Sequence, residues 1–135
     1  MTYIKDFVAW ATKKNLLDQI QDTKIPYFDE REIWYCSMGH NVGYEQDGKG
    51  PEYWRPVLIV KKYNQHLFTG IPLTSKIKNF PFYFGIGNID NKNAMAILSQ
   101  TKAYSSKRLI NKVEMLDKTI FNATKKAASE YIFGD

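Results

Sequence analysis

Four aliphatic residues stand in a row at Val57-Leu58-Ile59-Val60, with Arg55-Pro56 before them and Lys61-Lys62 after. In a strand, neighbouring side chains point to opposite faces, so an unbroken aliphatic run needs cover on both. The run therefore predicts a strand over 55–62 that is buried on both sides, and the rest of the chain must supply two layers of cover. At 135 residues, 44% hydrophobic and 15% aromatic, one domain with one compact core is the expectation.

Further strands are predicted around this one. Glu32 to Met38 is rich in β-formers, and His66 to Thr74 follows the central strand after a Tyr-Asn-Gln turn, as in a hairpin. Pro81 to Ile86 and Ala94 to Gln100 read as two more, separated by the turn-rich stretch Gly87 to Asn91. Helices are expected at both ends. Ile4 to Ile20 places Ile4, Phe7, Val8 and Ala11 at helical spacing. Asp117 is a plausible N-cap for a closing helix with Ile120, Thr124, Ala127, Ala128 and Tyr131 on one face. Short strands closed by a helix suggest a mainly β, α+β chain: a small half-open β-barrel with helices packed on it. The division expected within one domain is a helical extension over 1–30, the barrel over 31–116 and the C-terminal helix over 117–135.

The formal charge of +5 suits a polyanion or an acidic protein. No apolar run approaches the ~20 residues that cross a bilayer, and Met-Thr-Tyr-Ile-Lys-Asp does not open a signal peptide. Cys36 stands alone and cannot form an intramolecular disulfide, which makes a reducing cytoplasm the expected location. Two histidines and one cysteine are a poor donor set for structural zinc, and no cofactor is expected. Nothing in the spacing of His40 and His66 brings them together, and Cys36 reads as a packed strand residue.

The informative segment is Gly39 to Trp54, GHNVGYEQDGKGPEYW. Long irregular connections in compact domains are often functional. Within it, Gly43 to Lys49 spells most of a P-loop, but Gly50 stands where the Ser or Thr should be, and Glu45 and Asp47 would repel a triphosphate.

REIWYCSMGHNVGYEQDGKGPEYWRPVLIV resembles the opening signature of PemK/MazF toxins: a strand, then N-V-G-x-E-Q, a loop, and R-P-V-L-I-V. Pro72-Leu73-Thr74-Ser75 is similar to that family's next element, and Ile97 to Val113 to its later L-x-Q segment, so the resemblance covers about 31–116. It implies an SH3-like barrel of the PemK/MazF/CcdB kind, a homodimer, metal-independent cleavage of single-stranded RNA, and restraint by an acidic antitoxin. Residues carried over as catalytic are Arg55, Thr74 and Glu45; those expected to contact RNA are Gln46, Lys49, Tyr53, Trp54, Ser75, Lys76 and Gln100.

Arg55 can grip two phosphate oxygens through its planar fork, and Thr74 can donate a hydroxyl to the same phosphate. Glu45 is a candidate base for the ribose 2′-hydroxyl, a group that orients Arg55, or a cap for the loop. Unpaired bases stack on rings such as Tyr53 and Trp54. The sequence departs from the family pattern at Ile97, Ser99 and Tyr44, where some members carry Arg, Asp and His. Two other readings stand beside the nuclease: a protein-binding barrel resembling the gyrase-poisoning CcdB toxins, and a toxin that binds RNA or antitoxin without cutting. The nuclease reading requires the guanidinium at 55 and the hydroxyl at 74 to converge in a groove beneath the glycine-bearing flap.

Overall fold

The computed structural model describes residues 4–134. Helix α1 spans Phe7–Asp18, and seven strands follow: β1 Glu32–Ser37, β2 Trp54–Lys62, β3 Leu67–Thr74, β4 Tyr83–Ile89, β5 Lys92–Ile97, β6 Lys102–Ser105 and β7 Leu109–Met115. Helix α2, Lys118–Phe133, is the last element. The strands form one antiparallel sheet ordered β4-β5-β3-β2-β1-β7, with β6 added on β3.

Strand β3 curls the sheet into a half-barrel. Leu67 to Gly70 pairs with β6, whereas Leu73 and Thr74 pair with β5. Its other edge pairs with β2, where a register shift between Ile59 and Lys61 adds a bend. The aliphatic run of β2 is buried on both sides, as its sequence requires. Leu58 and Val60 join a core with Ile33, Ile71, Leu73, Leu98 and Phe121, beneath α2. Val57 and Ile59 join a second core with Phe28, Trp34, Cys36, Phe68 and Tyr104.

The closing helix is as the sequence predicts. Asp117 Oδ2 accepts from the amides of Thr119 (3.0 Å) and Ile120 (3.2 Å), while Phe121, Thr124 and Ala128 are buried. Tyr131 stays half-exposed, 6.2 Å from the Phe82 ring.

Several expectations are corrected. The N-terminal helix is shorter than Ile4 to Ile20, and its supposed inner face lies outside: Ile4 is 82% exposed and Val8 80% exposed, while Trp10 is the buried residue. The fifth strand ends at Ile97, because Leu98 to Gln100 turns into a short 3-10 helix. The fourth runs on to Ile89, with Gly87 absorbed at a register shift and the turn falling at Asp90-Asn91, both at positive φ. Strands β6 and β7 were not foreseen.

Glu32 shows how a carboxylate is kept in the core. It is 6% exposed and accepts from the Asp29 amide (2.9 Å) and the Trp34 indole (3.0 Å), with Lys112 Nζ 3.0 Å away. Burial alone would raise its pKa. The Trp34 and Asp29 donors and the Lys112 ammonium outweigh that and hold it below the ordinary carboxylate range. A carboxyl depressed in the folded state stabilises fully above its unfolded pKa, and the effect fades as pH falls through the folded value. Glu32→Ala should therefore cost ~2–3 kcal/mol at pH 7, by leaving a buried indole N–H unpaired. In urea titrations the deficit should shrink as pH drops below about 4.

Candidate functional site

Arg55 enters β2 opposite Cys36 of β1. Its Nε–H donates to the Asp47 carbonyl (2.8 Å) in the loop, and its Nη1–H to the Leu73 carbonyl (3.0 Å) in β3. The next residue is Thr74, half-buried at the end of β3 and paired with Met95. Its Oγ1 accepts from the Lys76 amide at 3.2 Å, and a hydroxyl that accepts can still donate its proton.

Arg55 and Thr74 line one groove of about 490 Å³. Among the described residues lining it, five side chains are cationic (Lys49, Arg55, Lys76, Lys78 and Lys92) and one is a carboxylate, Asp90. Walls of one charge sign concentrate counter-charged ligands. Gln46, Trp54 and Ser75 also line this groove. The Trp54 ring is 38% exposed and stands 5.4 Å from that of Tyr35.

Other residues singled out from sequence lie elsewhere. Glu45 Oε1 accepts from the Val42 amide at 3.1 Å. Glu45 lines a neighbouring hollow with His40, Asp47, Tyr53 and Arg55, not the groove of Thr74. Its charge also acts on Lys102, whose ammonium is held below its usual range by burial first and then by Arg108, with Glu45 opposing them. Tyr53 is wedged between the rings of Trp10 (5.0 Å) and His40 (5.1 Å). Gln100 gives its amide to the Tyr44 carbonyl (3.3 Å) and is absent from the groove lining.

Sequence reasoning missed the groove's outer wall. Tyr35 Oη donates to Asp90 Oδ2 at 3.3 Å, linking β1 to the β4–β5 turn. Burial first, then the Asp90 charge, raises the Tyr35 hydroxyl above its usual pKa, so it remains a donor at neutral pH. These residues are 55 positions apart, and no local pattern could have paired them.

The remaining polar groups fall into structural places. Cys36 is fully buried, and burial pushes its thiol far up against the opposing pull of Arg108, which leaves it a packed residue. The two histidines stand apart, His40 Nδ1 3.9 Å from Asp47 and His66 Nδ1 3.9 Å from Asp22. After Gly50 the chain makes a turn and enters β2, so no helix follows Gly43 to Lys49 as a P-loop needs. No helix among the described residues is long and apolar enough to cross a membrane.

The flap itself is tightly folded. Met38 N–H donates to the Tyr53 carbonyl (2.7 Å), Gly48 N–H to the Gly39 carbonyl (3.0 Å), and Lys49 and Trp54 exchange backbone bonds of 2.8 Å.

The family profile described as PemK-like, MazF-like toxin of type II toxin–antitoxin system matches residues 29–132. Among solved structures, MazF from Deinococcus radiodurans superposes with a TM-score of 0.68 at 17% identity, over 79% of this chain and 98% of that one. The Mycobacterium tuberculosis toxin MazF-mt6 gives 0.60 at 16% identity, over 78% and 99%. An endoribonuclease in complex with its cognate antitoxin, from a mycobacterial species, gives 0.56 at 14%, over 76% and 92%. At these identities the likeness establishes the fold. No functionally curated protein matches the chain.

Gly48 is the tightest point of the flap, since a Cβ there would lie 1.6 Å from the Tyr53 carbonyl oxygen. Gly48→Ala must push the two loop strands apart. We expect it to lose about 2 kcal/mol in urea denaturation and to become sensitive to trypsin at Lys49.

Proposed function

The chain belongs to the PemK-like, MazF-like toxins of type II toxin–antitoxin systems, and from that premise we propose that it is an endoribonuclease cutting single-stranded RNA without a metal ion. The observation that carries this reading is the shared groove: Arg55 and Thr74 line one cationic recess, with Arg55 held by carbonyls of both the flap and β3.

In this reading the scissile phosphate lies across the groove. The 2′-hydroxyl gives its proton to water as its oxygen bonds to phosphorus, the bond to the 5′-oxygen breaks as that oxygen takes a proton from water, and the products are a cyclic phosphate and a 5′-hydroxyl. The Arg55 guanidinium neutralises charge that grows on the phosphorane, where a fixed cation gains most. Thr74 donates its hydroxyl to a phosphate oxygen. Gln46, Lys49, Trp54, Ser75 and Lys76 hold neighbouring nucleotides through charge, hydrogen bonds and stacking. Glu45 supports the flap through the Val42 amide; service as the 2′-hydroxyl base would require the flap to move.

A cognate acidic antitoxin should cover the cationic groove, and the mycobacterial endoribonuclease solved with its antitoxin supports such a partner. Single-stranded RNA as substrate, a homodimer and a cytoplasmic setting complete the proposal.

The test is incubation of the purified protein with mixed-sequence RNA in EDTA. Discrete cuts ending in cyclic phosphate are expected. Arg55→Ala should lower the rate by ~10²–10³, and Thr74→Val by about tenfold or more. Glu45→Gln should cost less than about tenfold, since it keeps the loop contact. Absence of cutting in EDTA, with Arg55→Ala as toxic to cells as wild type, would sink the nuclease and favour a gyrase-inhibitor-like protein binder. RNA binding without cutting at any enzyme concentration would favour a toxin that has lost catalysis.

A further inference from the structure

We propose that α1 is a clamp that sets the position of Arg55 through the flap, with Lys5 and Asp47 as its positioning residues; the catalytic part rests on the nuclease reading above.

Helix α1 lies before the part of the chain that matches the family, 29–132. Its contacts fall on the flap and on the turn before β7, where Lys107 Nζ donates to the Asp18 carbonyl (2.7 Å) and the Arg108 guanidinium lies 5.9 Å from the Trp10 ring. The Trp10 ring, 5% exposed, occupies space that only a glycine at 39 leaves open: a Cβ there would stand 2.0 Å from the indole. Trp10 meets Tyr53 at 5.0 Å, and Phe7 meets His40 edge-on at 6.2 Å.

Charged contacts tie down both ends of the same surface. Lys5 Nζ donates to the Asn41 carbonyl and lies 3.3 Å from Asp47 Oδ2. Lys13 Nζ donates to Glu52 at 2.6 Å. The Lys5 and Asp47 side chains are only 16% and 12% exposed, so solvent screens their attraction weakly.

Asp47 is the junction. Its Oδ1 accepts from the Asn41 amide (2.6 Å), its Oδ2 faces Lys5, and its own carbonyl takes the Arg55 Nε–H (2.8 Å). A shift of Asp47 therefore displaces the carbonyl that aims the guanidinium. A charge placed to meet a transition state loses effect steeply when it moves by about 1 Å. Loss of the clamp should then lower kcat and leave substrate affinity nearly intact, because the groove's lysines remain.

The experiment uses the full chain and three variants, Lys5→Met, Lys5→Arg and Trp10→Ala. Amide hydrogen exchange over residues 41–48 is measured beside kcat and KM on single-stranded RNA. Lys5→Met and Trp10→Ala should speed flap exchange by about tenfold. They should lower kcat by about tenfold with KM within about twofold. Lys5→Arg, which keeps the charge, should restore both. Unchanged exchange in Lys5→Met and Trp10→Ala overturns the clamp. Faster exchange with unchanged kcat overturns the positioning role. If wild type cuts no RNA, the nuclease reading fails by itself, and exchange still decides whether α1 holds the flap.

Discussion

A guanidinium keeps its charge at every pH where a protein folds, so an arginine drawn partly out of water must be given acceptors. Arg55 finds them in two carbonyls, Asp47 of the flap and Leu73 of β3. One side chain thus staples an irregular loop to a regular sheet, one residue from the Thr74 hydroxyl. The groove takes its shape from that staple.

The flap is held at both ends by unusual backbone. Tyr53 adopts φ of 57°, a left-handed conformation that costs a non-glycine residue ~1–2 kcal/mol. Its carbonyl receives the Met38 amide at 2.7 Å, and its ring sits between Trp10 and His40. These contacts offset the strain and bind the loop to α1. Gly39 and Gly48 supply the close approaches: the first leaves room for the Trp10 indole, the second for the Tyr53 carbonyl. At these two positions the missing side chain admits a neighbour, while Gly39 (φ 77°), Gly43 (55°) and Gly50 (73°) also hold backbone conformations that favour glycine.

What the sequence announced depended on how local the signal was. The run Val57 to Val60 carries its double burial in itself, and Asp117 caps a helix within three residues, so both could be read directly. The face of α1 could not. Ile4, Phe7 and Val8 have the right spacing for a buried stripe, yet the helix docks through Trp10, because the cavity that receives it is made by a glycine far along the chain. Strands β6, of four residues, and β7, of seven, bear lysines and lie near the sheet's margins, where pairing instead of apolar alternation fixes them. That Arg55 and Thr74 line one groove could be expected because motif segments carry them. Tyr53 read as a stacking platform for RNA because its sequence neighbours are polar and basic, whereas its ring contacts are with Trp10 and His40. The Tyr35–Asp90 bond was invisible, being made only when the β4–β5 turn reaches β1.

The departures from the family pattern bear on which chemistry the groove can support. Ile97 is 2% exposed at the end of β5 and offers the groove only apolar surface. Ser99 lies exposed on the 3-10 turn that follows, and the Tyr44 side chain is 98% exposed at the flap's tip. Neither Ser99 nor Tyr44 lines the groove that holds Arg55 and Thr74. What the groove does concentrate is positive charge, with Lys49, Lys76, Lys78 and Lys92 around a fixed guanidinium. Charge that is already oriented needs no reorganisation as a phosphorane forms, and one such group is worth ~3–4 kcal/mol of barrier. Exposed lysines differ from such a group, because salt screens them over about 10 Å, and on the proposed reading their contribution goes to gathering the polyanion. In the nuclease proposed above, the groove divides labour between a held cation for the transition state and exposed cations for the substrate, so the geometry of the flap that holds Arg55 matters more to rate than to affinity.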